Sequence, residues 1–391
     1  MKIAMVIPEY PPDTIGGGGV VFQALVQEYI AHHDVQVFTG ADSDRSWIQG
    51  RRRGTADSVI VNRYPLIPIG RAIPYLRSAP PPNFRAWLQL RNDLADWSPE
   101  VAHVHGYGHA FVDLAALILA RRGVPYVFTL HGIPTRPSRH NLTIRVAFRA
   151  YERFGVGRAI RKAHAITAVS MAAAGPLSRT IPIEVIPNGV SAFGPSNAGR
   201  VKHLRERLAI PPGVAVVVGA GRLSVEKGFD VLIRCLDYVE VRQLVCVIAG
   251  ADAGVGQQLA ELAAKVRAGV SVHFLGRQSR EVLGDLYAMA DVVVVPSREE
   301  SFGLVALEAL ACGRRLVASQ AGGLGEFLPP EIALLVPRDS VVELASAITT
   351  SLARGPLTRL ELEQAERLVA SHSWHSIALR YQQVMTQVTN T

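Results

Sequence analysis

Short Val/Ile-rich runs recur along the whole 391-residue chain, each followed by a stretch with helical spacing. This alternation limits the fold more than any single motif does. Residues 3–7, 35–38, 101–104, 126–130, 165–169 and 184–186 form one series. Residues 214–219, 244–249, 270–275, 291–295 and 316–318 form a second. Continuous β-branched runs without polar alternation predict strands buried on both faces, hence parallel sheets covered by helices. The expected class is α/β. A Gly-, Pro-, Ser- and Asn-rich stretch at 188–197 separates the two series and carries linker chemistry. The prediction is two Rossmann-like domains with ligands outside the carboxyl ends of the strands, at a cleft between them. Residues 65–82, proline-rich, apolar and basic, read as a long functional loop of the first domain.

Composition narrows the partners. Hydrophobic residues are 49% and charged residues 19%, a globular balance, and the net charge is +8. A basic surface favours nucleotides, sugar phosphates, nucleic acid or anionic headgroups. The basic residues are scattered, without the interleaved aromatics of nucleic-acid binders, so no nucleic acid is expected. Cys235, Cys246 and Cys312 have no disulfide spacing and read as reduced, buried thiols of a cytoplasmic protein. The first apolar run stops at Pro8-Glu9, too short for a signal peptide. No run approaches the ~20 apolar residues of a membrane span. A soluble protein is expected, and the apolar-basic loop is compatible with peripheral contact at the inner face of a membrane.

Two segments carry the chemistry. Gly221-Arg222-Leu223-Ser224-Val225-Glu226-Lys227-Gly228 lies between a strand and a helix. Its glycines let backbone approach a ligand, while the planar Arg222 fork and the Lys227 point charge suit a diphosphate. The bland reading is a solvated basic turn. The second segment runs from Pro296 through Glu300-Ser301-Phe302-Gly303-Leu304 to Glu308. Ser301-Phe302-Gly303 is expected to open a helix whose first amides meet phosphate or sugar oxygens. Glu308 sits inside a helix of Leu, Val and Ala, where a carboxylate needs either a structural partner or a ligand hydroxyl.

The order Gly-Arg-Leu-x-x-Glu-Lys-Gly, then Glu-Ser-Phe-Gly-Leu-Val-x-Leu-Glu-Ala, resembles the second domain of retaining glycosyltransferase family four, of GT-B fold. Ile186-Pro187-Asn188-Gly189-Val190 resembles its interdomain signature, and Val272-His273-Phe274-Leu275-Gly276 its base-binding strand. Ser373-Trp374 resembles the opening of its last helix, which in such enzymes crosses back onto the first domain. The resemblance implies domains 1–190 plus 373–391 and 191–372, and covers nearly the whole chain.

It also implies site roles. Arg222, Lys227 and helix-end amides would stabilise the leaving nucleotide diphosphate without a metal or cofactor. Glu300 would hold donor-sugar hydroxyls and Glu308 the ribose. Gly17 and Gly18, Gly221, Gly276 and Arg277, and Ser301 to Leu304 would line the donor. His131, in Thr129-Leu130-His131-Gly132, would hold the sugar or shield a developing cation. His105 and Tyr75 are acceptor-side candidates. The partners implied are a nucleotide sugar and a glycan, lipid-linked or small-molecule acceptor. A nucleotide-sugar epimerase of similar shape and a non-catalytic nucleotide-sugar-binding regulator are the alternatives. Asp42-Ser43-Asp44 reads as a turn or helix cap, not a metal site. Residues 331–337 carry Ile-Ala where the family commonly shows Asn-Gly, and Glu326 closes a Gly-Gly-x-x-Glu element.

Overall fold

The computed structural model describes residues 1–12, 17–41, 52–56, 58–67, 82–133, 151–194 and 197–390. It divides into two compact units, Met1–Asn188 with Trp374–Thr391, and Gly189–Ser373.

The first unit is built on eight strands: β1 (Lys2–Ile7), β2 (Asp34–Ala41), β3 (Arg52–Ala56), β4 (Val59–Pro65), β5 (Val101–His105), β6 (Tyr126–Leu130), β7 (Ala165–Ala168) and β8 (Glu184–Val185). Their order is β3-β4-β2-β1-β5-β6-β7-β8. Every pair is parallel except the edge pair β3–β4. Residues 3–7 of β1 and all of β5 and β6 are buried, as expected for strands covered on both faces. The helix Trp374–Thr389 belongs to this unit. Ile377, Ala378, Tyr381, Val384, Met385 and Val388 form its buried stripe, a helical repeat facing one side. Arg380 Nη2 donates to the Val185 carbonyl at 2.6 Å and fixes the helix beside β8.

β3 and β4 were not expected from the sequence. β4 contains Asn62 and Arg63, and β3 begins with two arginines, so neither shows a continuous apolar run. Asn62 is nonetheless buried, donating to Gln36 Oε1 at 3.2 Å and the Val37 carbonyl at 3.3 Å. A second polar side chain is buried as deeply. Asp113, on the helix Ala110–Arg121, is 1% exposed and accepts a hydrogen bond from Tyr151 Oη. Its Oδ1 has no partner among the described residues.

The second unit carries six parallel strands: β9 (Ala215–Ala220), β10 (Leu244–Ala249), β11 (Val270–Phe274), β12 (Val292–Val295), β13 (Arg315–Ser319) and β14 (Ala333–Val336), ordered β11-β10-β9-β12-β13-β14. The chain runs outward from β9 in one direction, then returns to its other side for β12. That reversal is a topological switch point, where the loops after two adjacent strands diverge and leave a crevice. β14 was also unexpected. Ile332 and Ala333, which replace the family's Asn-Gly, are both 3% exposed and lead into this edge strand. Cys235, Cys246 and Cys312 are unpaired, and burial pushes the Cys246 thiol up to about 12 and the Cys312 thiol to about 11. Among the described residues no helix is long and apolar enough to cross a membrane.

Candidate active site

The loops after β9 and β12 are the two motif segments, so the switch point brings them side by side. Lys227 Nζ donates to Glu300 Oε2 at 2.6 Å, across 73 positions of sequence. Ser297 Oγ donates to the same oxygen at 3.1 Å. Both charged side chains are partly covered, at 23% and 14% exposure, so the pair is screened less than a surface ion pair. Lys227 keeps two further N–H donors for an anion. Arg222 is exposed on the same loop.

Backbone packing leaves little slack here. Gly228 has φ +64°, and a Cβ on it would lie 2.1 Å from the Pro296 carbonyl oxygen. A Cβ on Gly250, after β10, would lie 1.7 Å from the Gly221 carbonyl oxygen. Gly228→Ala is therefore expected to cost about 2 kcal/mol, from a left-handed backbone plus the clash. Thermal unfolding checks it; an unchanged midpoint would mean the two loops part freely.

The rest of the motif splits into exposed and packed groups. Gly276 and Arg277 are exposed beyond β11, and the Gly276 carbonyl accepts from Gly250 N at 2.8 Å. Phe302 is buried, its ring stacked 4.7 Å from Phe327, so only its backbone can face a ligand. The helix begins at Leu304, after Gly303 in a left-handed turn, and Gly323 N donates to the Glu300 carbonyl at 2.9 Å. Ser301 is half-buried in that turn. Glu308 has structural partners within the protein. Tyr287 Oη donates to it at 2.8 Å and Arg280 Nη1 at 3.3 Å. Burial raises the Glu308 carboxyl, and these two donors oppose that. Arg280 in turn lies 4.1 Å over the Phe193 ring and donates to the Ser191 carbonyl at 2.6 Å.

In the first unit, His105 ends β5 and His131 follows β6. Their rings meet, His105 Nδ1 to His131 Nε2, at 2.9 Å. Phe22, from the helix Gly17–Ile30, packs its edge against both, at 5.1 and 5.3 Å. Gly17 is exposed and Gly18 half-buried at the start of that helix. His103, its ring 3.9 Å from that of His105, is fully buried and shares hydrogen bonds with Tyr29 Oη and Thr129 Oγ1, a structural arrangement. Burial, then the neighbouring His109, pushes His131 down to about 4. Burial likewise lowers His105. The pair is neutral at physiological pH, with one ring donating and the other accepting. The His131 ring resonances are expected to titrate near pH 4 by NMR; a midpoint above pH 6 would show a solvated ring.

Tyr75, Asp42-Ser43-Asp44 and residues 68–81 of the expected loop lie outside the described residues. Sequence reasoning passed over Arg280, Tyr287, Ser297 and Arg298. Arg298 was visible as a lone cation next to Glu299-Glu300, but nothing local shows where its guanidinium goes.

Six parallel strands whose order reverses at β9 place the second unit in the Rossmann-like α/β class, with a charged pair at its switch point. The comparisons resolve that class further. Residues 15–192 match the family model described as Glycosyltransferase Family 4, and residues 201–369 that described as Glycosyl transferases group 1. The chain belongs to the family-four glycosyltransferases. It is 41% identical over 155 residues to a D-inositol 3-phosphate glycosyltransferase of Corynebacterium jeikeium, covering 37% of each chain. It spans between 36% and 47% of the length of the curated relatives of that name that it matches. An uncharacterized glycosyltransferase of Methanocaldococcus jannaschii is 27% identical over 85% of this chain and 84% of its own. The fold is GT-B. Anabaena Alr3699/HepE, in complex with UDP and glucose, superposes with a TM-score of 0.72 at 20% identity, covering 99% of this chain and all of the other.

Proposed function

We propose that the protein is a retaining hexosyltransferase that moves a sugar from a nucleotide diphosphate sugar to a hydroxyl acceptor. The observation that carries this reading is the Lys227–Glu300 pair, held at 2.6 Å in the switch-point crevice of the second unit. The diphosphate competes with Glu300 for the Lys227 ammonium and takes Arg222 as a second cation. Glu300, relieved of part of its ion pair, accepts hydrogen bonds from donor-sugar hydroxyls. Charge that develops on the leaving diphosphate meets fixed cations, the usual source of the largest catalytic term. These side chains supply the charge, and the reaction needs no metal. The ribose displaces Arg280 or Tyr287 at Glu308.

The acceptor oxygen attacks the anomeric carbon as the bond to the diphosphate oxygen breaks. The acceptor proton passes to the departing diphosphate on the same face, so configuration is kept. His131, neutral, serves as a hydrogen-bonding group and not as an acid. The glycosyltransferase and UDP-complex relatives support this class of chemistry. The acceptor is a glycan, a lipid-linked sugar or a small molecule.

A panel of nucleotide sugars tests it. Purified protein with chelator present should stabilise thermally with one donor, and should transfer its sugar with the donor's anomeric configuration, read by NMR of the product. Conversion of donor without acceptor, or binding of every donor without turnover, would overturn the reading.

A further inference from the structure

Arg298 ties the two halves of the second unit's crevice together, and its contacts are unusually complete. Nη1 and Nη2 take both oxygens of Asp230, at 2.8 and 2.9 Å, in a bidentate fork. Nη1 also donates to the Val225 carbonyl at 2.8 Å, and Nε to Asp339 Oδ1 at 2.5 Å. Its backbone N–H donates to the Glu226 carbonyl at 2.7 Å, and its own carbonyl accepts from Arg338 at 3.2 Å. Val225 and Glu226 immediately precede Lys227, and Asp230 opens the helix Phe229–Cys235 that follows Gly228. Arg298 therefore holds the segment carrying Lys227 from both sides. It stands two positions before Glu300 and one after Ser297, the side chains that meet Lys227.

From this geometry we infer that Arg298 is a positioning residue for the donor site: it sets the separation of Lys227 and Glu300. The inference rests on the donor-site reading above. Arg298 itself touches neither of those side chains and acts through the loops. Its fork is specific to a guanidinium, because a lysine ammonium cannot take both Asp230 oxygens and the Val225 carbonyl in one plane. The contact between Gly228 and Pro296 lets the loops sit no closer, so Arg298 sets the other limit, how far apart they drift.

The test uses the full chain, with kcat and donor KM measured well below the unfolding midpoint. Arg298→Ala should lower kcat/KM for the donor roughly 10²-fold, with donor KM raised, since a displacement of about 1 Å costs that much. Millimolar guanidinium should restore part of the loss in Arg298→Ala and none in Lys227→Ala. Asp339→Asn, at an exposed partner, should give a smaller shift in the same direction and serves if Arg298→Ala does not fold. Unchanged donor KM with kcat reduced only in proportion to folded protein, or no guanidinium rescue, would show a purely structural arginine. If Lys227→Ala abolishes transfer while folded Arg298→Ala and Asp339→Asn keep wild-type constants, this inference alone fails. If Lys227→Ala keeps full transfer, the donor-site reading and this inference fail together.

Discussion

Lys227→Ala is expected to lower kcat/KM for the nucleotide sugar about 10³-fold, or about 4 kcal/mol of transition-state stabilisation. The ammonium is a partly buried cation of the crevice, and the charge it meets grows as the diphosphate leaves. Its loss therefore falls on kcat more than on KM. Glu300→Gln should be damaging for a different reason. Glutamine keeps the size and the Ser297 contact but removes the charge that holds Lys227, and weakens acceptance from sugar hydroxyls. Its loss should be smaller and shared between kcat and KM. Both variants should keep the fold, because Gly228, Pro296 and Arg298 hold the loops without them. Steady-state kinetics beside circular dichroism decides the matter: folded variants with wild-type turnover would remove these residues from the site.

The second large effect concerns stability. Burial pushes the Asp113 carboxyl up to about 7 from an ordinary 3.8, and the Tyr151 hydrogen bond opposes that rise without cancelling it. The folded state thus keeps this proton up to about pH 7, whereas the unfolded chain loses it near pH 4. Stability from this group is complete below the unfolded value, falls as pH rises through that interval, and is flat above it. At about 1.4 kcal/mol per pH unit the whole interval amounts to roughly 4 kcal/mol. Asp113→Asn holds the same shape without a proton to lose. It should be more stable than the parent by roughly 2 kcal/mol near pH 5 and roughly 4 kcal/mol near pH 8. Denaturant unfolding at the two pH values measures this. A difference independent of pH would mean that Asp113 ionises as a solvated carboxylate.

Several features were legible in the chain because burial is written locally. A strand covered on both faces is apolar at successive positions, and β1 past Lys2, β9, β10 and β12 are. The amphipathic stripe of Trp374–Thr389 is likewise a local repeat. Arg222 and Lys227 stood out because charge in a glycine-flanked loop after such a strand is a local pattern too, whereas Glu300 was singled out mainly by the family resemblance. β3 and β4 did not stand out: β3 is an edge strand, which needs no continuous apolar run, and β4 beside it is interrupted by Asn62 and Arg63. The strand β4 hides its polarity in a pairing with Gln36 that only β2 can supply.

By itself, then, the sequence determined the class of fold, the strands of both sheets' centres and the identity of the charged loops. Tertiary structure decided which groups meet. Glu308, deep in an apolar helix, required a partner, and the packing of a neighbouring helix made it Tyr287 and Arg280. His131 gained His105 only because β5 and β6 are adjacent. Lys227 reached Glu300 because the strand order reverses at β9. Periodicity along a chain records how deeply each residue is buried. It does not record which residue, tens of positions away, a sheet's order will place at hydrogen-bonding distance.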